Sequence, residues 1–172
     1  VCGAADWGPH GANRTPSVRE EFVMEQRLDM WQLAPEAFKA VLALETCARK
    51  GVEPKLFELI KIRASMLNGC AYCVDMHTTD ALKGGEDLRR IVAVSAWHES
   101  PYFSELERAV LDLTDAVTRL GEDGVSDQIW ESASEHLNEL ELTNVVMAIA
   151  VINVWNRVAV TAHTPAAPLA VG

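Results

Sequence analysis

Three side chains that could carry redox or metal chemistry lie close together in this 172-residue sequence: Cys70, Cys73 and His77. Cys73 follows Cys70 at i+3 and His77 follows Cys73 at i+4, so a helix would place all three on one face. A thiolate can attack a peroxide oxygen, an imidazole can take the thiol proton, and a second thiol can close a disulfide. We expect an exposed acid elsewhere in the chain to orient His77.

A CxxC pair is also compatible with metal binding or with two incidental buried thiols. A structural zinc site needs four ligands, whereas Cys70, Cys73 and His77 supply three. No second CxxC or HxxxH motif provides the fourth ligand. The spacing therefore favours redox chemistry over zinc binding. Cys47 stands apart from the pair, and we expect it to be a small buried side chain.

Helices must position these side chains, because apolar residues recur at three- and four-residue spacing from position 35 onward, without sustained alternation. We therefore expect an all-α, single-domain helical bundle of about seven helices, with Asn68 as the cap of the helix that carries the cysteines. The predicted helices run from Pro35 to Gly51, Pro54 to Asn68, Cys70 to Lys83, Asp87 to Ala96, Ser104 to Gly121, Ser126 to Leu137 and Glu139 to about Ala162.

Three segments of different character divide the chain. Residues 1–23 show no helical or alternating periodicity, and we expect a flexible or expression-derived extension. Residues 24–163 form the predicted domain, and residues 164–172 a loose tail. The last helix is apolar nearly all round between Val145 and Trp155, so we expect other subunits to cover part of it.

The charge balance excludes some classes of partner. The formal net charge of -10 comes from 25 acidic and 15 basic residues, which disfavours binding to nucleic acid or to anionic lipid. The longest apolar run, Val145 to Trp155, is about half of the roughly 20 residues that a membrane span needs. No secretory signal is recognisable. We expect a cytoplasmic protein that binds neither membranes nor nucleic acid.

A longer pattern surrounds the cysteines: Glu58, then eleven residues, Cys, two residues, Cys, three residues and His77. This pattern resembles the core of the alkyl hydroperoxidase D-like (AhpD-like) branch of the carboxymuconolactone decarboxylase superfamily. The similarity continues through Ser95 to Phe103 and Ile152 to Arg157. It covers roughly Met24 to Thr161.

The resemblance implies an all-helical subunit that assembles into homotrimers or homohexamers. It implies reduction of hydrogen peroxide or organic hydroperoxides through a reversible disulfide, without a bound cofactor. Cys73 resembles the peroxidatic cysteine, Cys70 the resolving cysteine, and Glu58 with His77 the proton relay. A dithiol reductant, or a thioredoxin-like or lipoyl-bearing adaptor protein, would restore the thiols.

The residues by themselves leave the order of attack open. A helix N-terminus favours a thiolate at Cys70, whereas Cys73 is the better partner for His77. Tyr72 stands where the founding peroxidase of the family has a histidine, and it can donate a hydrogen bond instead. We take Tyr72 and Asn68 as candidate pocket residues.

Two other functions compete with peroxide reduction. One is a carboxymuconolactone-type decarboxylase in which His77 and Glu58 act as acid and base, although true decarboxylases lack the cysteine pair. The other is a non-catalytic redox sensor or metal-binding scaffold. Without the resemblance, the position of Glu58 between Lys55 and Lys61 would predict a surface ion pair.

Overall fold

A computed structural model describes residues 25–168. Within this range the chain is all-α and has no β-strand, which confirms the predicted fold class. The α-helices are α1 (Met30–Leu33), α2 (Pro35–Gly51), α3 (Pro54–Leu67), α4 (Ala71–Lys83), α5 (Leu88–Ala93), α6 (Glu105–Thr118), α7 (Asp127–Ser134) and α8 (Glu139–Ala162). A 3-10 helix, Val94–Glu99, continues α5.

The predicted segments at the two ends fall only partly within the described range. The predicted extension, residues 1–23, lies outside it, as do residues 169–172 of the predicted tail. Residues 164–168 follow α8 without regular secondary structure. The single turn of α1 was not predicted from the sequence. Its N-cap Asp29 accepts a hydrogen bond from the backbone of Gln32.

The helix boundaries follow from local chemistry. Proline opens α2 and α3, where its missing N–H costs nothing. Ser104 opens α6 with a capping box, in which its side chain and that of Glu107 satisfy each other's backbone N–H groups. Asn138 and Glu141 make the same arrangement at the start of α8.

The prediction that Asn68 caps α4 was wrong. Asn68 ends α3 instead, and its backbone N–H donates to the carbonyl of Ala64. Gly69 then adopts a φ of 66°, a left-handed conformation that reverses the chain before the next helix begins. Cys70 is therefore the N-cap of α4, and its Sγ accepts a hydrogen bond from the backbone N–H of Cys73 at 3.3 Å.

Helix α3 lies at the centre of the domain and is buried over most of its length. It packs against α4, α6 and α8, so that Phe57 and Ile60 are fully buried. The side chains of α2, α6 and α8 complete the main core. The central position of α3 means that charged groups on it are held in fixed surroundings.

Helix α8 is long and apolar enough to cross a membrane by length and composition alone, with a mean hydropathy of 1.7 over 18 residues. Half of that window is buried within the protein. Val145, Ile149 and Ile152 are covered by other helices of the same chain, so they need no second subunit to bury them. Val154 and Val160 remain exposed.

Candidate active site

The two cysteines lie at the start of α4, directly after the turn that ends α3, and both side chains are buried. Cys70 and Cys73 are joined by a disulfide, with their Cα atoms 5.4 Å apart. They are only 2% and 1% exposed. They pack against Ala64 of α3 and against Ile152 and Ala159 of α8. The structure thus contains the CxxC pair in its oxidised form.

His77 lies one turn after Cys73 on α4 and is buried. Its Nδ1 atom is 2.8 Å from Oε2 of Glu58 on α3. The acid that orients His77 was expected to be exposed, but Glu58 is buried. A buried partner suits this task because the neighbouring helices hold it in place and exclude competing water. Glu58 is also not the surface partner of Lys55 or Lys61 that helical spacing alone would predict.

The second oxygen of Glu58 accepts a hydrogen bond from Arg49 of α2 at 3.0 Å. Burial raises the pKa of Glu58, but the hydrogen bond and charge of His77, together with Arg49, outweigh it and hold the pKa below its ordinary value. Glu58 is therefore an ionised acceptor near neutral pH. His77 then donates through Nδ1, so that in the neutral imidazole Nε2 carries the lone pair that can take a proton.

A second ion pair lies behind the first. Lys61 is fully buried, and its Nζ atom is 2.5 Å from Oε2 of Glu45 on α2. Trp155 donates its indole N–H to the same oxygen at 3.2 Å, and Arg49 lies 3.8 Å from the other oxygen. Burial lowers the pKa of Lys61 against the opposing effect of Glu45. Arg49 therefore links the partly buried carboxylate of Glu45 to the buried carboxylate of Glu58, which holds His77.

Glu45, Arg49 and Lys61 were not predicted as site residues from the sequence. Glu45 and Arg49 have i,i+4 spacing on α2, which by itself indicates an ordinary helix-surface ion pair. The one indication is their position next to Ala48, an apolar residue on the same helix. Ala48 is buried, so both charged residues border the inward face of α2. Nothing in the sequence pairs this face with Glu58, because the contact depends on how α2 packs near α3.

A cavity of about 490 Å³ opens beside Cys73. It lies between α2, α4 and α8, and Cys73, His77 and Tyr72 line it. Cys70 and Asn68 are not among its lining residues. Of the two cysteines, Cys73 is therefore the one that lines the cavity.

Residues 26–31 form one side of this cavity, here called the N-terminal wall. The backbone N–H of Arg27 donates to the carbonyl of Ala162 at 2.8 Å, which ties the wall to the end of α8. Trp31 lies against Phe38 and Trp155, with ring centroids 4.9 Å and 6.4 Å away. An aromatic surface thus lines the part of the cavity between α2, α8 and the N-terminal wall.

Asn68 belongs to a partly buried amide cluster rather than to the cavity. Its Nδ2 atom donates to the side-chain oxygens of Asn153 and Asn156, both at 2.9 Å. Asn156 in turn donates to Ser65 at 3.0 Å. This cluster connects α8 to the turn that precedes Cys70. It therefore ties the turn to α8.

Within residues 25–168, no group of three or more His, Cys, Asp or Glu side chains is arranged to hold a metal ion. The expectation for Cys47 was wrong: this free cysteine is exposed on α2. It faces outward because the neighbouring Ala48 occupies the buried face of that helix.

Comparison with known proteins gives consistent results. A family model described as the carboxymuconolactone decarboxylase family matches residues 35–116. The uncharacterized protein YdfG of Bacillus subtilis is 37% identical over 145 residues, covering 84% of this chain and 99% of YdfG. The alkyl hydroperoxide reductase AhpD of Coxiella burnetii is 30% identical over 60 residues, covering 33% of this chain and 34% of AhpD.

Among solved structures, the protein ATU0492 of Agrobacterium tumefaciens superimposes with a TM-score of 0.82 at 40% identity. The match covers 84% of this chain and 100% of that protein. ATU0492 is described as a protein of unknown function for which a role as the antioxidant defence protein AhpD has been suggested.

Proposed function

Because the chain belongs to the carboxymuconolactone decarboxylase family, in its AhpD-like branch, we propose that it is a thiol peroxidase that reduces hydroperoxides through the Cys70–Cys73 pair. The proposal rests mainly on three features that meet at Cys73. Cys73 faces a cavity, is bonded to a second cysteine, and lies one turn from a histidine held by a buried carboxylate.

In the first step, His77 accepts the thiol proton of Cys73 through Nε2, since Nδ1 is occupied by Glu58. The thiolate attacks the terminal oxygen of the hydroperoxide, the O–O bond breaks, and a sulfenic acid forms on Cys73. The alkoxide leaves and takes the proton from His77 as an alcohol. Hydrogen peroxide would give water in the same way.

In the second step, the sulfur of Cys70 attacks the sulfenic sulfur of Cys73 as the Cys70 thiol loses its proton. The sulfenic S–O bond breaks, the leaving hydroxide takes that proton and departs as water, and the disulfide forms. A dithiol reductant then attacks the disulfide and takes up the oxidising equivalents as its own disulfide. The reductant is an external molecule, either a small dithiol or a thioredoxin-like or lipoyl-bearing protein. A reducing compartment such as the cytoplasm would supply it.

The positions of the two sulfurs support Cys73 as the attacking cysteine. Cys73 lines the cavity and Cys70 does not. Cys70, as the N-cap, lies where the backbone N–H groups and helix dipole stabilise a negative charge. When a reductant attacks the cavity-facing sulfur of Cys73, the Cys70 thiolate is the leaving group, and this stabilisation helps it to leave. The same helix-terminus effect thus fits a resolving cysteine.

The proposal is tested by counting free thiols before and after one equivalent of cumene hydroperoxide. The reduced protein should lose two of its four cysteine thiols. Cys70→Ser should stop at a sulfenic acid on Cys73, detected by dimedone labelling. Cys73→Ser should retain its thiols. Persistence of all four thiols in the unmodified protein would contradict the proposal.

Turnover separates a peroxidase from a redox sensor. With excess dithiothreitol and hydroperoxide, a peroxidase consumes many equivalents per chain, whereas a sensor is oxidised once and then stops. Cys47→Ser is the matched control, because this thiol is exposed and lies outside the cavity. We expect Cys47→Ser to turn over at the rate of the unmodified protein. A decarboxylase would retain activity toward its carboxylate substrate in both CxxC variants, and we expect no such activity.

A further inference from the structure

The residues that line the cavity beside Cys73 indicate which class of hydroperoxide it binds. This inference rests on the proposed peroxidase function. Trp31, Phe38 and Trp155 surround one part of the cavity, with Phe38 and Trp155 centroids 5.8 Å apart. Leu42 and Met76 add further apolar surface. Hydrogen peroxide, which has no apolar group, would gain nothing from these contacts.

The reacting groups of the cavity and its large aromatic rings come from different helices. Cys73 and His77 lie on α4, whereas the three aromatic rings come from α1, α2 and α8. A molecule that reacts at Cys73 would therefore place its peroxide group near α4 and its organic group among the aromatic rings. The volume of about 490 Å³ is enough for an organic group of about ten carbon atoms.

The charges of the cavity distinguish neutral from anionic substrates. Asp29, Glu45 and Asp80 line it, and Arg49 is the lining residue with a permanent positive charge. Arg49 is already bonded to Glu58 and lies beside Glu45, so its charge is compensated. A substrate carboxylate would lose hydration and meet mostly like charge.

From these observations we infer that the cavity binds neutral hydroperoxides that carry an aromatic or similarly broad apolar group, and that Trp31 of the N-terminal wall determines this preference. The wall is suited to this role because its aromatic ring belongs to a short helix rather than to the core. Trp31 is half exposed, and its ring pairs with those of Phe38 and Trp155. Replacing Trp31 therefore changes the cavity without removing a core residue.

The test compares cumene hydroperoxide with hydrogen peroxide in the unmodified protein, in Trp31→Ala and in Trp130→Ala. Trp130 is the matched control because it is exposed to nearly the same extent, 47% against 50% for Trp31, and lies on α7 outside the cavity. The measured quantity is kcat/KM for cumene hydroperoxide divided by kcat/KM for hydrogen peroxide. We expect Trp31→Ala to lower this ratio by about tenfold or more, and Trp130→Ala to leave it unchanged. An equal effect on both peroxides would overturn the inference.

A second comparison tests the charge preference on ligands of the same shape. Cumene hydroperoxide should be reduced at least about tenfold more efficiently than its para-carboxylate derivative. Equal kcat/KM values, or a preference for the anion, would contradict the proposed neutral substrate class. Circular dichroism and unfolding midpoints should show that both tryptophan variants fold like the unmodified protein.

Binding of the product alcohol separates failure of this inference from failure of the proposed function. 2-Phenylpropan-2-ol has the organic group of cumene hydroperoxide but no reactive oxygen bond, so its affinity does not depend on redox chemistry. We expect it to bind the unmodified protein and Trp130→Ala equally and Trp31→Ala more weakly. Binding with this pattern in the absence of peroxide turnover would overturn the peroxidase proposal alone. Turnover with no difference among the three affinities would overturn the assignment of Trp31.

Discussion

The orientation of His77 depends on a carboxylate that stays ionised inside the protein. Burial would favour the protonated form of Glu58, but His77 and Arg49 reverse this effect and lower its pKa. Each of the two oxygens of Glu58 is occupied, one by His77 at 2.8 Å and the other by Arg49 at 3.0 Å. A single side chain thus sets both the tautomer and the direction of the imidazole ring.

Replacing this carboxylate should separate orientation from charge. In Glu58→Gln we expect kcat/KM for hydroperoxide to fall by about 10²–10⁴, because the amide cannot stabilise a protonated His77 or select its tautomer. Stopped-flow measurement of thiol oxidation gives the rate. Glu99→Gln, at an exposed position outside the cavity, is the control. An unchanged rate in Glu58→Gln would mean that His77 does not act through this pair.

The same carboxylate predicts a dependence of stability on pH. Its folded-state pKa lies below the ordinary 4.5, so the stabilisation is present above that value and is lost as pH falls through the lowered pKa. Glu58→Gln should therefore cost about 1–3 kcal/mol in unfolding free energy at pH 7. The difference from the unmodified protein should shrink below pH 4.5. Urea unfolding at a series of pH values measures it, and a constant difference would contradict this assignment.

The pair of Lys61 and Glu45 should respond differently to single and double replacement. Lys61→Met leaves Glu45 without its 2.5 Å partner, and we expect a loss of about 3–5 kcal/mol. Replacing both, as Glu45→Gln with Lys61→Met, removes the uncompensated charge and should recover most of this loss. Denaturant unfolding of the two single variants and the double variant gives the coupling energy. Additive losses would show that the two groups are energetically independent.

At the scale of elements, the turn between α3 and α4 determines where the cysteines lie. Gly69 has a φ of 66°, and the backbone N–H of Cys70 donates to the carbonyl of Ser65 at 3.0 Å. The α3 helix therefore ends before the CxxC pair and does not continue through it. As a result, Cys70 becomes an N-cap, with a different electrical environment from that of a residue inside a helix.

This turn can be tested with two glycines that differ mainly in backbone conformation. A Cβ added at Gly69 or at Gly121 would meet no atom within 4 Å, and of the two only Gly69 has a positive φ. We expect Gly69→Ala to lower the unfolding free energy by about 1–2 kcal/mol because of the left-handed conformation. Gly121→Ala should be neutral or slightly stabilising. Equal effects in thermal unfolding would contradict the strain at Gly69.

The sequence predicted the helices well where local signals mark their ends. The predicted bounds of α2, α3, α6 and α8 agree with the structure to within a few residues. The signals were Pro35, Pro54, Ser104 and the apolar periodicity. The short α1 carries too few residues for periodicity to appear. Asn68 was assigned to the wrong helix end, because an Asn-Gly pair can either end one helix or begin the next.

The candidate site was predictable only in part, because the sequence indicates contacts within one helix but not contacts between helices. Cys70, Cys73 and His77 share one helix, so their spacing places them together. Arg49 and Trp155 reach the same region from α2 and α8. Helical periodicity relates residues within one helix, so it cannot predict contacts between residues this far apart in the sequence. Trp31 joins them through α1. These residues complete the cavity through tertiary packing, which spacing alone does not reveal.

At the scale of the whole molecule, several large apolar side chains remain exposed. Leu88 and Val92 on α5 are 57% and 62% exposed, and Val160 on α8 is also exposed. Exposed apolar surfaces of this kind are typical of subunit interfaces when they lie close together. With the trimers or hexamers implied by the family resemblance, they motivate a specific prediction about assembly.

We expect the protein to assemble into a homotrimer or homohexamer in solution. Light scattering after size exclusion should give three or six times the chain mass of 18.9 kDa. Val92→Glu should reduce the assembly if α5 contributes to the interface, because a buried charge without a partner is costly. Ser95→Glu, at an exposed polar position nearby, is the control. A mass of one chain at micromolar concentration would contradict the prediction.

The contribution of α8 to the site has a consequence for the newly made chain. The ribosome releases α3 and α4 well before α8, which supplies Ile152 and Ala159 against the cysteines. During that interval Cys70 and Cys73 lack this cover, although both are nearly inaccessible in the folded chain. A nascent chain stalled before α8 should therefore react with thiol reagents indiscriminately. Completion of synthesis changes a freely reactive dithiol into one that is reached through a selective cavity.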